Sequence, residues 1–191
     1  RAIPIKIHIG AEVFYLPNLL TLKNDSLATF GNGKYMLIEF STLNIPDIQK
    51  QRLYELKLSG VTPIIAHPER YLPVQGDISM VTNWLEAGCI IQVDAGSILG
   101  KLGKSSKLTS ERIIKNGWCQ IIGSDAHDNK NRNFCLKEAF DLVSNWVGND
   151  AGKMFDEYPK KIIDGSRIHV DFEYSSKEKN SLLRKIIKRW N

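Results

Sequence analysis

The chain has 191 residues, of which 42% are hydrophobic, and this is enough for one domain with a sizeable core. No apolar stretch reaches about 18 residues, and the first residues look like a strand, so we predict neither a membrane-spanning helix nor a secretory signal. The net charge of +5 and the isoelectric point near 9.1 would suit nucleic acid, but no stripe of aromatic and basic residues accompanies them, so we predict no such partner.

Five apolar runs alternate with helical segments along the chain. The strands are predicted over residues 3–13, 34–40, 61–67, 89–93 and 119–122. The helices are predicted over residues 47–58, 78–86, 109–116 and 134–146, and a glycine ends each of the first three. Repeated strand–loop–helix units indicate an α/β fold with a parallel sheet, either open or closed as a barrel. We predict a single domain over residues 1–191.

The last segment, residues 176–191, combines six basic side chains with apolar residues at helical spacing. This pattern predicts a basic amphipathic helix that packs on the domain and keeps its charged face in water. A transient contact with an anionic membrane surface and a homo-oligomer both stay open.

The three cysteines are odd in number and lack a Cys-x-x-Cys spacing. Cys89 and Cys119 fall within apolar strand-like runs, so we predict buried free thiols rather than disulfides or metal ligands. A reducing cytoplasm is the predicted compartment.

Acidic and histidine side chains stand where the predicted strands end. Glu12 ends the first strand, Glu39 the second and His67 the third, while Asp125 and His127 follow the fifth. The carboxyl ends of parallel strands form one rim, and sites in such folds lie there. Three carboxylates on one rim repel one another unless cations neutralise them. We therefore predict a multimetal site; the alternative is that each carboxylate caps a helix or pairs with an arginine.

Two arginines follow the predicted ligands. Arg70 and Arg132 each come a few residues after a ligand, and a planar guanidinium binds phosphate oxygens bidentately. We predict that both bind an anionic substrate, the alternative being salt bridges to Glu69 or Asp128.

The two other histidines lie away from the strand ends. His8 is well inside the first predicted strand, and His169 is in a late apolar segment. For both we predict a histidine of the core or of the opposite face rather than a ligand.

Five segments together resemble one known family. They are residues 10–12 (GAE), 34–40 (KYMLIEF), 64–71 (IIAHPERY), 92–97 (QVDAGS) and 123–127 (GSDAH). This pattern is similar to the PHP (polymerase and histidinol phosphatase) family, and within it to the metal-dependent protein-tyrosine phosphatases encoded with bacterial capsule and exopolysaccharide genes. The resemblance implies a distorted (β/α)₇ barrel. It also implies that a metal-activated hydroxide hydrolyses phosphotyrosine on the tail of a polysaccharide-assembly tyrosine kinase.

The resemblance implies a role for each residue of the rim. Glu12 would bridge two metals, with Glu39 and His67 on the second of them. Asp125 would hold the first metal and His127 a third. The metals would be manganese, or iron or zinc, up to three in number.

By the same resemblance Arg70 and Arg132 would clamp the phosphate and, with Asp125, form the catalytic set. No cysteine nucleophile is expected, because the sequence has no Cys-x₅-Arg loop.

The chain departs from the family pattern at its beginning. The family opens with a His-x-His strand end, a nearby Asp and a later His, whereas no histidine precedes His8 here. We therefore expect the domain to be amino-terminally incomplete, without the opening strands of the barrel. Three alternative functions stay open: a small phosphate-ester phosphatase of the histidinol-phosphate type, a metal-dependent nuclease, and a binding module without catalysis.

Overall fold

The computed structural model of the protein describes residues 4–130 and 132–169. The helix predicted over residues 176–191 lies outside these residues. The described part contains a sheet of five parallel strands in consecutive order: β1 Glu12–Phe14, β2 Tyr35–Glu39, β3 Thr62–Ile65, β4 Ile90–Asp94 and β5 Ile121–Gly123. The predicted α/β fold with a parallel sheet is confirmed. Within residues 4–130 and 132–169 the strands β5 and β1 do not pair, so the closed barrel stays a prediction.

The helices connect these strands. They are α1 Gln49–Leu58, α2 Leu72–Gly76, α3 Ser79–Glu86, α4 Ala95–Ile98, α5 Lys104–Lys115, α6 Leu136–Val147, α7 Asp150–Gly152 and α8 Tyr158–Ile163, with a π-helical stretch Lys153–Glu157 and 3₁₀ turns Leu19–Leu22 and Pro68–Arg70. The four predicted helices are confirmed, although α5 begins five residues earlier than predicted. Gly60, Gly88 and Gly117 follow α1, α3 and α5 with φ of 96°, 80° and 70°, the left-handed geometry expected after a helix.

The two faces of the sheet are both covered. Side chains of one face, such as Met36, Ile65 and Ile91, pack with the helices in the main core. Side chains of the other face, such as Ile64 and Ile90, form a second cluster. Burial on both faces explains why the strands are continuous apolar runs rather than alternating ones.

The segment after the π-helical stretch covers this second face. Ile162 and Ile168 pack in the second cluster. The Asn32 side chain donates to the Ile162 carbonyl at 2.7 Å, and the Tyr35 hydroxyl donates to the Ser166 carbonyl at 2.6 Å. These hydrogen bonds hold the late segment against the beginning of β2.

The first predicted strand is wrong over most of its length. The strand β1 begins at Glu12, and residues 4–11 belong to no strand. Ile5, Ile7 and Ile9 alternate as a strand would, but all three are exposed because no described strand pairs with them. His8 in the same segment is exposed, which excludes the predicted core position and leaves the opposite face as a prediction.

Three further predictions concern His169, the cysteines and membrane-spanning helices. His169 is exposed, so it is not the core histidine that was one of its two predicted positions. Cys89 and Cys119 are buried and free, as predicted, and Cys135 is buried and free as well. Among the described residues no helix combines the length and the apolar character needed to span a membrane.

Candidate metal and phosphate site

Three of the predicted ligands meet at the carboxyl edge of the sheet. The Nε2 atom of buried His67 lies 3.0 Å from Glu12 Oε1 and 3.3 Å from Glu39 Oε1. Ligand atoms of all three residues lie within 4.8 Å of one another. Glu39 ends β2 and His67 follows β3 by two residues, whereas Glu12 begins β1 instead of ending it.

The donor set of this cluster fits a divalent cation. A single imidazole nitrogen carries at most one proton, so it can donate a hydrogen bond to only one of the two carboxylates at full strength. A cation between the three side chains would bind both carboxylates and the nitrogen. One nitrogen and two carboxylate oxygens suit manganese, iron or zinc. Burial lowers the pKa of His67, but the hydrogen bond to Glu12 and the negative charges of Glu69 and Glu12 together outweigh it, so the net pKa is raised. A cation that binds here competes with a proton for the imidazole nitrogen.

The backbone is strained at two of the predicted ligands. His67 has φ of 29° and Asp125 has φ of 45°, a region that residues other than glycine seldom adopt. Each residue follows a strand of the sheet by two positions. Strain of this kind costs about 1–3 kcal/mol and is found at functional sites.

Asp125 lies between the two predicted phosphate-binding arginines. Arg70 Nη1 donates to Asp125 Oδ2 at 2.8 Å, and Arg132 Nη2 donates to the same oxygen. Both guanidinium groups pair with Asp125 rather than with Glu69 or Asp128, which the alternative interpretation proposed. The Asp128 carboxylate accepts a hydrogen bond from the backbone N–H of Arg132 instead. Two guanidinium groups converge on one oxyanion.

The sequence reasoning missed Asp94 at the end of β4. Its carboxylate is buried, accepts from the Gly96 N–H at 2.6 Å as the N-cap of α4, and lies 3.8 Å from Arg70 Nη1. Burial raises the pKa of this carboxyl. The signal was available, because Asp94 ends its strand just as Glu39 ends β2.

His127 lies at the outer edge of the site. Its side chain is 56% exposed, its Nδ1 atom lies 2.8 Å from the Asp125 carbonyl oxygen, and it is 3.6 Å from the Asp125 carboxylate. It does not belong to the cluster of Glu12, Glu39 and His67 found in the described residues. Its role as a ligand of a third metal stays a prediction.

A buried tyrosine connects the strands that carry the ligands. The Tyr71 hydroxyl donates to the Ala66 carbonyl at 2.6 Å and accepts from the Phe40 N–H at 2.9 Å. Its ring also meets the His67 ring edge-on, with centroids 5.7 Å apart. Because Phe40 follows Glu39 and Ala66 precedes His67, this hydroxyl fixes the spacing of two predicted ligands. Sequence reasoning missed it, since the residues beside a tyrosine give no sign of its hydrogen-bond partners.

Comparisons with known proteins bear on this site. A family model described as capsular polysaccharide synthesis, CpsB/CapC, matches residues 1–164. The tyrosine-protein phosphatase YwqE of Bacillus subtilis (strain 168) is 33% identical over 156 residues, which are 81% of this chain and 61% of YwqE. The tyrosine-protein phosphatase CpsB of Streptococcus pneumoniae is 27% identical over 164 residues, which are 82% of this chain and 68% of CpsB. The chain thus spans about three fifths of the length of YwqE.

Solved structures give the same relationship. A chain from the crystal structures of YwqE from Bacillus subtilis and CpsB from Streptococcus pneumoniae, described as unique metal-dependent tyrosine phosphatases, superposes with a TM-score of 0.80. The two chains are 30% identical, and the match covers 87% of this chain and 68% of the other.

Proposed function

The chain belongs to the CpsB/CapC family of capsular polysaccharide synthesis, and on this basis we propose that it is a metal-dependent protein-tyrosine phosphatase. One observation carries the proposal: the nitrogen of His67 and two carboxylates converge within 4.8 Å on the sheet edge that also holds Arg70 and Arg132. A cation site beside paired guanidinium groups suits a phosphate ester. The relatives named as tyrosine-protein phosphatases support the choice of phosphotyrosine.

The proposed metals are divalent, with manganese preferred and iron or zinc as alternatives, up to three in the complete site. Glu12 would bridge two of them, with Glu39 and His67 on the second, while Asp125 would serve the first and His127 a third. Bound cations would neutralise phosphate charge and lower the pKa of water.

The arginines perform the substrate chemistry of this chain. Both guanidinium groups already point at one oxyanion, the Asp125 carboxylate, so they are preorganised for phosphate oxygens. They would orient the phosphoryl group and stabilise its negative charge during in-line displacement. The phenol leaving group needs less assistance than an alkyl alcohol, because the pKa of a tyrosine hydroxyl is near 10.

The substrate, the compartment and the barrel fold are proposed from the family. The substrate would be the phosphotyrosine tail of a polysaccharide-assembly tyrosine kinase, and the compartment the cytoplasm. The sheet would be part of a distorted (β/α)₇ barrel within one domain. The consecutive order of the five strands supports this arrangement, because neighbours in sequence are neighbours in such a barrel.

A substrate comparison tests the proposal. The metal-stripped full-length protein is supplied with Mn²⁺ and given a phosphotyrosine peptide, histidinol phosphate and single-stranded DNA. We expect phosphate release from the peptide, with loss of activity after EDTA and recovery after Mn²⁺ is restored. Turnover of histidinol phosphate or DNA without turnover of the peptide would contradict the proposal, and turnover of none of them would favour a binding module.

A further inference from the structure

Glu69 is a fully buried glutamate in the turn between the proposed metal ligand His67 and the proposed phosphate ligand Arg70. Glutamate is seldom completely buried without an ionic partner, because the transfer of its charge out of water is costly. Within the described ranges Glu69 forms no salt bridge, since the neighbouring Arg70 pairs with Asp125 and Asp94 instead. Burial raises the pKa of Glu69 to about 7.

The Glu69 side chain reaches across to the next strand. Its Oε1 atom accepts from the Asp94 backbone N–H at 3.1 Å, at the end of β4. On the other side, the Gln75 side chain donates to the Glu69 carbonyl at 2.8 Å. The 3₁₀ turn is thus held from both sides, and the Arg70 guanidinium leaves it toward Asp94 and Asp125.

The buried polar atoms without a hydrogen-bond partner in the described part of the chain include His67 Nδ1, Glu69 Oε2 and Ser97 Oγ. His67 directs its Nε2 atom at Glu12 and Glu39, so Nδ1 is the nitrogen that faces away from the cluster. A histidine that binds a metal usually needs a carboxylate, carbonyl or water at its second nitrogen, and this support sets the ring orientation.

We infer that Glu69 is a positioning residue that fixes the His67 ring and the Arg70 guanidinium through its bond to the Asp94 backbone. The inference rests on the proposed function, because it gives Glu69 a role toward the proposed metal and phosphate ligands. Glu69 itself touches neither metal nor substrate. An apolar side chain would fill the same space without the cost of a buried carboxyl, so stability alone does not explain a glutamate here.

Two substitutions separate positioning from structural support. Glu69→Met keeps the length of the side chain but removes both oxygens, whereas Glu69→Gln keeps an acceptor for the Asp94 N–H. Mn²⁺ is titrated calorimetrically into the metal-stripped full-length protein, and thermal unfolding is measured without metal. For Glu69→Met we expect a loss of about 10–100-fold in Mn²⁺ affinity and a higher KM for phosphotyrosine peptide. Its unfolding midpoint should stay close to that of the wild type, because removal of the buried carboxyl offsets the lost hydrogen bond to the Asp94 N–H. Glu69→Gln should retain most of the wild-type Mn²⁺ affinity.

The matched control is Glu86→Met on the exposed surface of α3, which should change nothing. Wild-type Mn²⁺ affinity in Glu69→Met would overturn the inference, and so would a parallel loss of affinity and stability in both Glu69 variants. If Glu69→Met does not fold, Glu69→Ala is judged by the same criteria. Metal affinity is measured without substrate, so a wild type that binds Mn²⁺ but leaves phosphotyrosine intact refutes the proposed function and still tests Glu69.

Discussion

The Tyr71 hydroxyl satisfies two backbone groups at once, and its removal should be felt in both stability and metal binding. Tyr71→Phe leaves the Ala66 carbonyl and the Phe40 N–H without the partner they now have. A buried backbone group that loses its partner costs about 1–3 kcal/mol, so the two together should lower the free energy of unfolding by about 2–6 kcal/mol. The phenyl ring stays, so little of the loss comes from packing.

The same change should weaken the metal cluster. Glu39 and His67 sit one residue from the two affected backbone groups, and we expect Mn²⁺ affinity to fall about tenfold. Urea denaturation of the metal-free protein measures the first effect and calorimetric titration the second. Tyr54→Phe on the exposed side of α1 is the matched control. A loss of stability below about 0.5 kcal/mol, which is usual for surface substitutions, would refute the reasoning.

Three other predictions follow from the site. Arg70→Lys and Arg132→Lys should each raise KM for phosphotyrosine peptide about 10–100-fold in a steady-state assay, because an ammonium group cannot make the bidentate contact. Calorimetry should show unchanged Mn²⁺ affinity in both variants, and the exposed control Arg112→Lys should keep the wild-type KM; an unaltered KM in the first two contradicts the phosphate role. His67→Ala should abolish Mn²⁺ binding to the cluster in a calorimetric titration, and the exposed His169→Ala should not, so equal effects would remove His67 from the ligands. Burial raises the pKa of Cys89 to about 12 and raises that of Cys119 too, so mass spectrometry should show that iodoacetamide labels these thiols only after denaturation. Replacement of all three cysteines by alanine should leave phosphatase turnover in place, and loss of turnover in a folded variant would point to a thiol nucleophile.

Much of the sheet was predictable because apolar runs and helical segments alternate regularly. The runs at Tyr35–Glu39 and Ile90–Asp94 are too short for a typical helix and lie between turn residues, so they favour strands. The segment before Glu12 has an equally good strand pattern, yet it is exposed and unpaired in the described structure. Periodicity reports which side chains suit a strand, and it carries no information on whether a neighbouring strand is present to accept the hydrogen bonds.

The site was predictable to the extent that chemistry follows strand ends. The rule that site residues follow the carboxyl ends of strands identified Glu39, His67 and Asp125. In the structure Glu39 lies beside His67, and Asp125 lies between the two arginines. It did not bring out Glu69, whose significance depends on burial and on a backbone partner 25 residues away. Such contacts arise from packing between loops, which no local pattern encodes.

The hydrogen bond between Tyr35 and Ser166 joins residues 131 positions apart in the sequence. Every proposed ligand and both arginines are therefore synthesised well before the segment that covers the second face of the sheet. Contacts of such long range form late in folding, because the chain between them must first be ordered. A nascent chain that already contains all of these proposed ligands still exposes Ile64 and Ile90, and a product that stops short of Ser166 would expose the same surface and aggregate.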